Sequence, residues 1–374
     1  MIQQFRVVPT IFLADSCKEF CETFQIGQKD LILTNPTYFE GYLDEYVNGA
    51  KVLYLKKYGK GEPTDLMVEA IYQDIKGLAF DRVIAVGGGS IIDIAKILVQ
   101  ETVTPVCDLF EKTIPVKKIK KLVIVPTTCG TGSEVTNVSV VELTSRNTKL
   151  GLQTEEEFAD EAVLIPELLK KLPFRFFATS SIDALIHAIE SYMSPKATPI
   201  SELFSEKAMY MLLNGYKAIV RSKEPETEKE ARIGEFLLAS TYAGIAFGNA
   251  GCAAVHAMSM PFSGAYHVPH GEANYVIFTG VFKAYNRLKP EGKIQKLNQM
   301  LADILECDSS VVYEALEKLL DQILTKKSLH EYGVKEEELS AYTEVVMTKQ
   351  GRLTANNYTP LDAEEVLKIY QSLY

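Results

Sequence analysis

Three of the five histidines in this 374-residue chain, His256, His267 and His270, lie within fifteen positions, in the stretch VHAMSMPFSGAYHVPHGE at 255–272. A further pair, Asp183 and His187, is spaced four apart in the helical pattern SSIDALIHAIE, so both side chains lie on one helix face. A carboxylate oxygen with several imidazole nitrogens and no thiolate suits Fe(II), Zn(II) or another divalent transition metal. A buried histidine held by a carboxylate is the plainer explanation of a lone Asp–His pair. The sequence alone therefore suggests a metal site without proving that these groups converge.

A glycine-rich turn precedes these motifs in the first half of the chain. DRVIAVGGGSIIDIAK places Gly87, Gly88, Gly89 and Ser90 between a predicted strand and a predicted helix. Glycines let the backbone approach a ligand closely, and the N-terminus of the following helix favours an anion. The spacing differs from GxGxxG, so a dinucleotide pyrophosphate is one interpretation and a turn without a ligand is the other.

A second polar turn follows the strand in KKLVIVPTTCGTGSE, with Thr127, Thr128, Thr131 and Ser133. Ligands in open α/β sheets lie beyond the carboxyl ends of the strands, so we expect the two turns to line one crevice. Turn and cap residues that bond to nearby backbone are the alternative explanation of the threonines.

The elements that position these motifs change in type along the chain. The first half alternates buried strand patterns (DLILTN, AKVLYLKK, DRVIAVGG, KKLVIVPTT) with helical ones, which predicts βαβ units and a mainly parallel sheet, with a hairpin near 141 to 160. The second half carries apolar residues at helical spacing throughout. We predict an α/β domain over 1–177 and an all-helical domain over 178–374, in keeping with the length of the chain.

Composition narrows the classes of protein. A net charge of −10 argues against nucleic acid or an anionic membrane as the main partner. The six cysteines include no CxxC pair, so neither a disulfide framework nor a zinc-thiolate site is predicted. Apolar runs fall short of a membrane span, and the N-terminus lacks the pattern of a secretory signal, so we expect a cytoplasmic protein.

Several motifs in a fixed order make the chain resemble the iron-containing (group III) alcohol dehydrogenases over essentially its whole length. The motifs are GGGSIIDIAK, PTTCGTGSE, SSIDALIHAIE and HAMSMPFSGAYHVPHGEAN. ILTNPTYF, STYAGIAFGNAG and YHVPHGEANY are most similar to the branch of 4-hydroxybutyrate dehydrogenases. The resemblance implies an N-terminal dinucleotide-binding α/β domain, an all-helical C-terminal domain and a cleft between them that holds NAD and the metal. It also implies a homo-oligomer, which we expect to be a dimer.

The resemblance assigns roles to particular residues. The four metal ligands would be Asp183, His187, His256 and His270, with Fe(II) as the first candidate and Zn(II) as the second. His267 would handle a proton, and His270 would count among the catalytic groups. Cofactor binding would fall to the following residues of the α/β domain: Asn35, Gly88, Gly89, Ser90, Asp93, Thr127, Thr128, Thr131, Ser133 and Lys149.

Two positions depart from the pattern of the family. Many relatives carry a second histidine four residues after the one matching His256, whereas this chain has Met260, which cannot relay a proton. His267 is the candidate replacement. Relatives often carry an aspartate that repels a 2′-phosphate where this chain has Asn35, so the preference for NAD over NADP is weakened.

The implied reaction interconverts 4-hydroxybutyrate and succinate semialdehyde, with the metal polarising the substrate oxygen and the nicotinamide carrying hydride. The first alternative is a family member acting on a neutral primary alcohol or diol. A lyase similar to the dehydroquinate synthases, which share the architecture, would need lysines and arginines around a polyanionic substrate, and the metal motifs contain none. A binding protein without catalysis is the third alternative.

Overall fold

The computed structural model describes residues 3–146 and 148–374, which fall into two compact units that part between Leu172 and Pro173. The helical unit also includes the N-terminal segment ending at Arg6. That segment is tied to it by hydrogen bonds from the Arg6 amide to Asn249 Oδ1 (2.7 Å) and from Thr198 Oγ1 to the Gln4 carbonyl (2.8 Å). The first helix of this unit already contains residue 177, where we placed the domain boundary.

The α/β unit is built on a parallel sheet. Its strands are β1 (Thr10–Leu13), β2 (Asp30–Thr34), β3 (Lys51–Tyr54), β4 (Arg82–Gly87), β5 (Lys121–Pro126), β6 (Val138–Leu143), β7 (Thr148–Gln153) and β8 (Glu161–Leu164). Among the described residues, six strands pair in parallel in the order β1-β8-β5-β4-β2-β3, while β6 and β7 form a separate antiparallel hairpin. The parallel sheet, the hairpin and the strands predicted at β2 to β5 are thereby confirmed.

The register of β4 against β5 places the two polar turns side by side. Gly87 pairs with Pro126 at the carboxyl ends of the strands, and the Thr127 amide donates to the Gly87 carbonyl at 3.1 Å. Strand β2 lies on the other side of β4, so the turn at Asn35 is the next neighbour. Since parallel strands end at the same edge of the sheet, these turns lie along one edge, as predicted.

A continuous apolar core joins the sheet of this unit to some of its helices. The helices of the unit are α1 (Cys17–Thr23), α2 (Pro36–Phe39), α3 (Asp65–Ile75), α4 (Gly89–Leu98) and α5 (Val106–Phe110). The core is formed by the sheet, by α3 and α4 and by the hairpin, with Leu33, Ile71, Ile92, Ile124 and Leu152 among its fully buried members. Burial of this surface holds α4 and its N-terminal glycines firmly against the sheet.

The second unit is helical throughout, as predicted. Its helices are α6 (Phe174–Met193), α7 (Pro199–Arg221), α8 (Pro225–Ala250), α9 (Ala254–Tyr266), α10 (His270–Leu288), α11 (Lys293–Leu305), α12 (Val312–Asp321), α13 (Leu339–Lys349), α14 (Gly351–Thr354) and α15 (Ala363–Ser372). Helix α6 is buried continuously from Ser181 to Met193 and packs against α7, α8 and α10. It is therefore the central helix of the unit.

A sharp bend of 104° separates α8 from α9. It falls at Gly251, which has φ of +79°, a conformation that favours glycine, and whose Cβ position would lie 2.5 Å from Asn356 Nδ2. Within the described residues, no single helix is long and apolar enough to cross a membrane, although this bent pair passes the same test when taken together. The bend directs the start of α9 toward α6.

Candidate metal centre and phosphate-binding cleft

Helix α6 carries the first two predicted metal ligands into the interior of the helical unit. Asp183 is 3% exposed and His187 is 5% exposed, and they lie one helical turn apart. Two charged or polar groups buried on one helix face need partners, because an uncompensated polar group in an apolar interior costs free energy. The partners come from α9 and α10.

His256 and His270 meet Asp183 from the starts of these two helices. His256 lies in the first turn of α9 and His270 begins α10. Asp183, His256 and His270 each offer a ligand atom, and these atoms lie within 4.8 Å of one another. The distance from His256 Nε2 to Asp183 Oδ1 is 3.8 Å, too long for a hydrogen bond and suited to two ligands of one ion.

His187 joins this group through His256. Its ring stacks on that of His256, with centroids 4.7 Å apart, and on Phe247 at 4.4 Å. Its ligand atom lies within 4.8 Å of those of His256 and Cys252. The structure therefore places the other three predicted ligands around His256 and adds a cysteine that the sequence analysis did not include.

Glu190 fixes both the start of α9 and the orientation of His256. One of its carboxylate oxygens accepts from the Val255 amide at 2.6 Å, and the other accepts from the Ala253 amide at 3.0 Å and from His256 Nδ1 at 2.6 Å. The N-cap residue of α9, Ala253, has no side-chain hydrogen bond that could cap the helix itself. The contact with Glu190 occupies Nδ1 of the imidazole and leaves Nε2 on the side of Asp183, where it can bind a metal once it carries no hydrogen.

Asn274 plays a similar part for the other ligands. Its Nδ2 donates to Asp183 Oδ1 at 2.8 Å and lies 3.1 Å from His270 Nε2, while its Oδ1 accepts from Ser259 Oγ. Asn274 is fully buried and lies one turn after His270 in α10. It therefore holds ligands from α6 and α10 in a fixed relation.

Opposite charges in this cluster shift its pKa values. Burial raises the pKa of Asp183, but the imidazoles of His187, His270 and His256 outweigh burial and leave it below its ordinary value. Burial lowers the pKa of His256, but Cys252 and Glu190 raise it well above its ordinary value. The cluster thus favours an anionic Asp183 beside cationic groups, and a divalent cation can take the place of the imidazolium charge.

The residues fit a divalent metal. The ligand atoms of Asp183, His256 and His270 lie within 4.8 Å of one another in a buried setting. A buried carboxylate and several imidazoles need compensating charge, and a divalent ion that displaces the imidazolium hydrogen would provide it. The donor set of one carboxylate and three imidazoles matches Fe(II) or Zn(II).

His267 is exposed and lies at the end of α9 rather than within the cluster. It has left-handed backbone angles, φ 51° and ψ 36°, and terminates the helix. Met260 lies within α9, one turn after His256. The predicted role of His267 in proton transfer therefore stays a prediction, and the structure adds a backbone role for the same residue.

The α/β unit carries a separate cleft of about 480 Å³ at the carboxyl edge of its sheet. Its lining includes the predicted cofactor residues Asn35, Gly88, Gly89, Ser90 and Thr128. Both glycines lie close to threonine side chains, because a Cβ at Gly88 would lie 3.3 Å from Thr128 Cγ2 and one at Gly89 would lie 3.1 Å from Thr131 Cγ2. The cleft opens at the N-terminus of α4, which suits a phosphate group.

Three other residues predicted to bind the cofactor, Asp93, Thr131 and Ser133, form hydrogen bonds that hold the turn after β5 in place. Ser133 Oγ donates to Asp93 Oδ1 at 3.0 Å, and the Val140 amide donates to Asp93 Oδ2 at 3.0 Å. The fully buried Lys96 donates to Ser133 Oγ at 3.1 Å and to the Val138 carbonyl at 2.8 Å. The Thr131 Oγ1 accepts from the Ser133 amide, so the turn after β5 is anchored to α4 and the hairpin.

The remaining residues predicted for the cofactor have varied surroundings. Thr127 is fully buried, and its hydroxyl has no hydrogen-bond partner among the described residues. Lys149 forms an ion pair with Glu62, next to the cleft-lining Gly61. Asn35 Oδ1 accepts from the amide of Lys56, a cation that also lines the cleft. No carboxylate is among the residues that line the cleft, so its electrostatics do not oppose a 2′-phosphate.

Sequence reasoning missed Glu190 and Asn274. Glu190 follows His187 by three positions and Asn274 follows His270 by four, so each shares a helix face with a predicted ligand. A buried acidic residue in an otherwise apolar helix was the available signal for Glu190. Both residues orient the ligands of the proposed ion, and neither is one of those ligands itself.

Residues 9–166 match the iron-containing alcohol dehydrogenase family, and residues 177–374 match the C-terminal part of the Fe-containing alcohol dehydrogenase family. The chain is 49% identical over 369 residues to a 4-hydroxybutyrate dehydrogenase of Clostridium kluyveri, with 99% of each chain covered. It is 34% identical over 313 residues to the long-chain-alcohol dehydrogenase 1 of Geobacillus thermodenitrificans, covering 79% of this chain and 75% of the relative.

The fold is likewise similar to that of a solved structure. The crystal structure of sulfoacetaldehyde reductase from Bifidobacterium kashiwanohense in complex with NAD+ has a TM-score of 0.85, with 100% of this chain and 99% of that chain covered. At 23% identity this likeness concerns the fold alone. It confirms the predicted architecture of an α/β domain followed by a helical domain.

Proposed function

The chain belongs to the iron-containing alcohol dehydrogenase family, and from that premise we propose that it interconverts 4-hydroxybutyrate and succinate semialdehyde with NAD(H). The proposed substrate pair rests on the 49% identity to a 4-hydroxybutyrate dehydrogenase over nearly all of both chains. The metal-dependent chemistry is carried by one structural observation, the convergence of ligand atoms of Asp183, His256 and His270 within 4.8 Å of one another.

Asp183, His187, His256 and His270 would hold the metal, for which we propose Fe(II). When bound, a divalent ion supplies Lewis acidity toward a substrate oxygen. The chain's own contribution is to keep the donor atoms in place. Glu190 holds the tautomer and orientation of His256, and Asn274 holds Asp183 against His270.

The predicted residues of the α/β cleft would hold the dinucleotide. We propose that Gly88, Gly89 and Ser90 receive the pyrophosphate at the N-terminus of α4. Thr127, Thr128, Thr131, Ser133, Asp93, Lys149 and Asn35 would support or contact the rest of the cofactor. The cofactor supplies the hydride chemistry, and the protein supplies position and electrostatics.

Reduction of an aldehyde requires one proton in addition to the hydride. We propose that His267 delivers that proton to the substrate oxygen, directly or through water, because Met260 cannot. Its exposed ring lies three residues before the ligand His270. An imidazole exchanges protons readily near neutral pH.

The test is anaerobic oxidation of NADH by the purified protein with succinate semialdehyde, after reconstitution with Fe(II). Butanal is the neutral control substrate, and metal-free protein is the control for the ion. We expect rapid, metal-dependent turnover that favours the semialdehyde. Turnover of butanal alone would leave the family role in place and refute the proposed substrate, and inactivity with both would refute the dehydrogenase role.

We propose that the working form is a dimer. The edge strand β1 is exposed at each of its four residues, and Leu13 is 70% exposed. An open edge of this kind invites pairing with a second chain. Sedimentation equilibrium of the wild-type protein and of a Leu13→Lys variant tests this, since the charge should weaken association if β1 lies in the interface.

A further inference from the structure

Cys252 lies in the link between α8 and α9, four residues before His256, and is 7% exposed. Its Sγ lies within 4.8 Å of a ring nitrogen of His187 and of a ring nitrogen of His256. These two nitrogens also lie within 4.8 Å of each other. A sulfur and two imidazole nitrogens at this spacing are sufficient to bind an ion through three protein ligands.

The backbone that presents this sulfur is fixed from several directions. Asn356 Nδ2 donates to the Cys252 carbonyl at 2.8 Å, Ser194 Oγ donates to the Ala250 carbonyl at 2.6 Å, and Glu190 accepts from the Ala253 amide. The intervening Gly251 has a backbone conformation that favours glycine. The position of Cys252 beside the two imidazoles is therefore set by the bend itself.

His256 belongs to two overlapping triads. With Asp183 and His270 it offers oxygen and nitrogen donors, and with His187 and Cys252 it offers sulfur and nitrogen donors. Its Nε2 is buried. Carboxylate donors suit Fe(II) and Mn(II), whereas thiolate favours Zn(II) and other thiophilic ions.

We propose that Cys252, His187 and His256 form a second metal-binding triad, which takes a thiophilic divalent ion such as Zn(II) at a position displaced from Asp183 and His270. The two positions share His256, so one ion excludes the other. The proposal rests on the metal centre assigned above. Binding of the ion displaces the thiol proton, and no electron is transferred.

The sulfur triad and the carboxylate triad compete for His256, which belongs to both. The consequence for function is selectivity, because Zn(II) would compete with Fe(II) for His256 without gaining the carboxylate of Asp183. Zn(II) would then occupy the centre and reduce the Fe(II)-dependent activity.

The experiment titrates the metal-free full-length protein with Co(II) under anaerobic conditions and records the near-ultraviolet thiolate-to-cobalt charge-transfer absorption. We expect this absorption in wild-type protein and in Cys307→Ser, a control that removes a cysteine outside the cluster. It should be absent in Cys252→Ser. His270→Gln, which leaves the sulfur triad complete, should retain it.

Competition between Zn(II) and Fe(II) provides the second readout. Cys252→Ser should lower the Zn(II) affinity by about tenfold or more while leaving Fe(II) affinity nearly unchanged, since loss of even an outer-shell partner costs ~10–100-fold. Cobalt bound with visible-region bands but no charge-transfer absorption would overturn the sulfur triad and leave the metal centre standing. Failure of the wild type to bind Co(II), Zn(II) or Fe(II) would overturn both. If a variant does not fold, the presence or absence of the charge-transfer absorption in the wild-type protein still tests the sulfur triad.

Discussion

At the scale of single residues, Glu190 combines two tasks that are usually divided between residues. Its carboxylate receives the first amides of α9 and the imidazole hydrogen of His256. The sequence predicted the ligand candidates because Asp183 and His187 are spaced four apart and because the family resemblance selects His256 and His270 from the three clustered histidines. Glu190 offered a weaker signal, its position three residues after His187, because α6 is buried continuously from Ser181 to Met193 and its apolar pattern marks no single face as the site.

Glu190→Gln tests whether this carboxylate holds His256 in position for the metal. We expect metal affinity to fall ~10–100-fold, because the amide group cannot accept all three hydrogen bonds and no longer fixes the tautomer of His256. Equilibrium titration with Co(II) or Fe(II) measures the change. Glu230→Gln, on the exposed part of α8, is the matched control and should bind metal as the wild type does. Equal affinity in both variants would remove Glu190 from the centre.

His267→Asn tests the proposed proton donor without disturbing the helix end. Asparagine accepts left-handed backbone angles, so the end of α9 at φ 51° should be preserved while the imidazole is lost. We expect turnover to fall by ~10²-fold or more, with metal content unchanged. His267→Gly controls for the backbone and should behave alike. Full turnover in His267→Asn would show that the proton takes another route.

Asn35→Asp tests the choice between NAD and NADP. A carboxylate at this position would repel a 2′-phosphate, so we expect kcat/KM for NADPH to fall about tenfold or more, equivalent to ~1.4 kcal/mol, with little change for NADH. Asn35→Ala removes the amide without adding a charge, so it should not change kcat/KM for NADPH relative to that for NADH. Unchanged use of NADPH in Asn35→Asp would place the 2′-position away from Asn35.

At the scale of elements, the contact between α6 and α10 depends on Gly271. A Cβ at this position would lie 2.4 Å from the Thr179 carbonyl oxygen and 3.0 Å from Asp183 Cβ. The close approach brings the start of α10, with His270, to the helix that carries Asp183. A sequence shows a glycine after a histidine, but not that a neighbouring helix occupies the space of its side chain.

Gly271→Ala should therefore separate the two helices. We expect the free energy of unfolding to fall by ~1–3 kcal/mol through overpacking, and metal affinity to fall with it. Gly264→Ala is the matched control, because Gly264 also lies in a helix and a Cβ there meets nothing within 4 Å. Urea unfolding and metal titration of both variants give the comparison. Gly271→Ala as stable as Gly264→Ala would refute the close-packing argument.

The sequence pattern predicted some strands of the sheet and not others. The sequence predicted β2 to β5 because each is a buried apolar run followed by a turn. It did not predict β1 or β8, which have four residues each, and β1 is exposed along its length. Runs this short carry too few residues for a strand pattern, so their pairing, with β1 at the edge and β8 between β1 and β5, is visible only in three dimensions.

At the scale of the whole molecule, the metal ligands belong to the helical unit and the phosphate-binding turns to the α/β unit. The change from alternating strands to continuous helices predicted this division. The sequence could not show that the segment ending at Arg6 joins the helical unit, because that attachment rests on bonds to Thr198 and Asn249, about 200 residues along the chain.

Removal of the metal should consequently affect one unit more than the other. A metal ion whose free concentration is 100 times its Kd raises the free energy of unfolding by ~2.7 kcal/mol. Hydrogen exchange of the metal-free and metal-loaded protein should show added protection in α6, α9 and α10, with β4 and β5 as the internal control. A change confined to the sheet, or no change, would contradict the placement of the centre.

The double use of Glu190 also has a kinetic consequence. We expect an ion on His256 to leave most readily when the first turn of α9 opens, because the same three hydrogen bonds secure the helix start and the imidazole. Its residence time should then follow the frequency with which this helix end frays, a local opening that requires no unfolding of the domain. The rate of metal loss should therefore respond to substitutions that loosen the bend at Gly251 as well as to substitutions of the ligands.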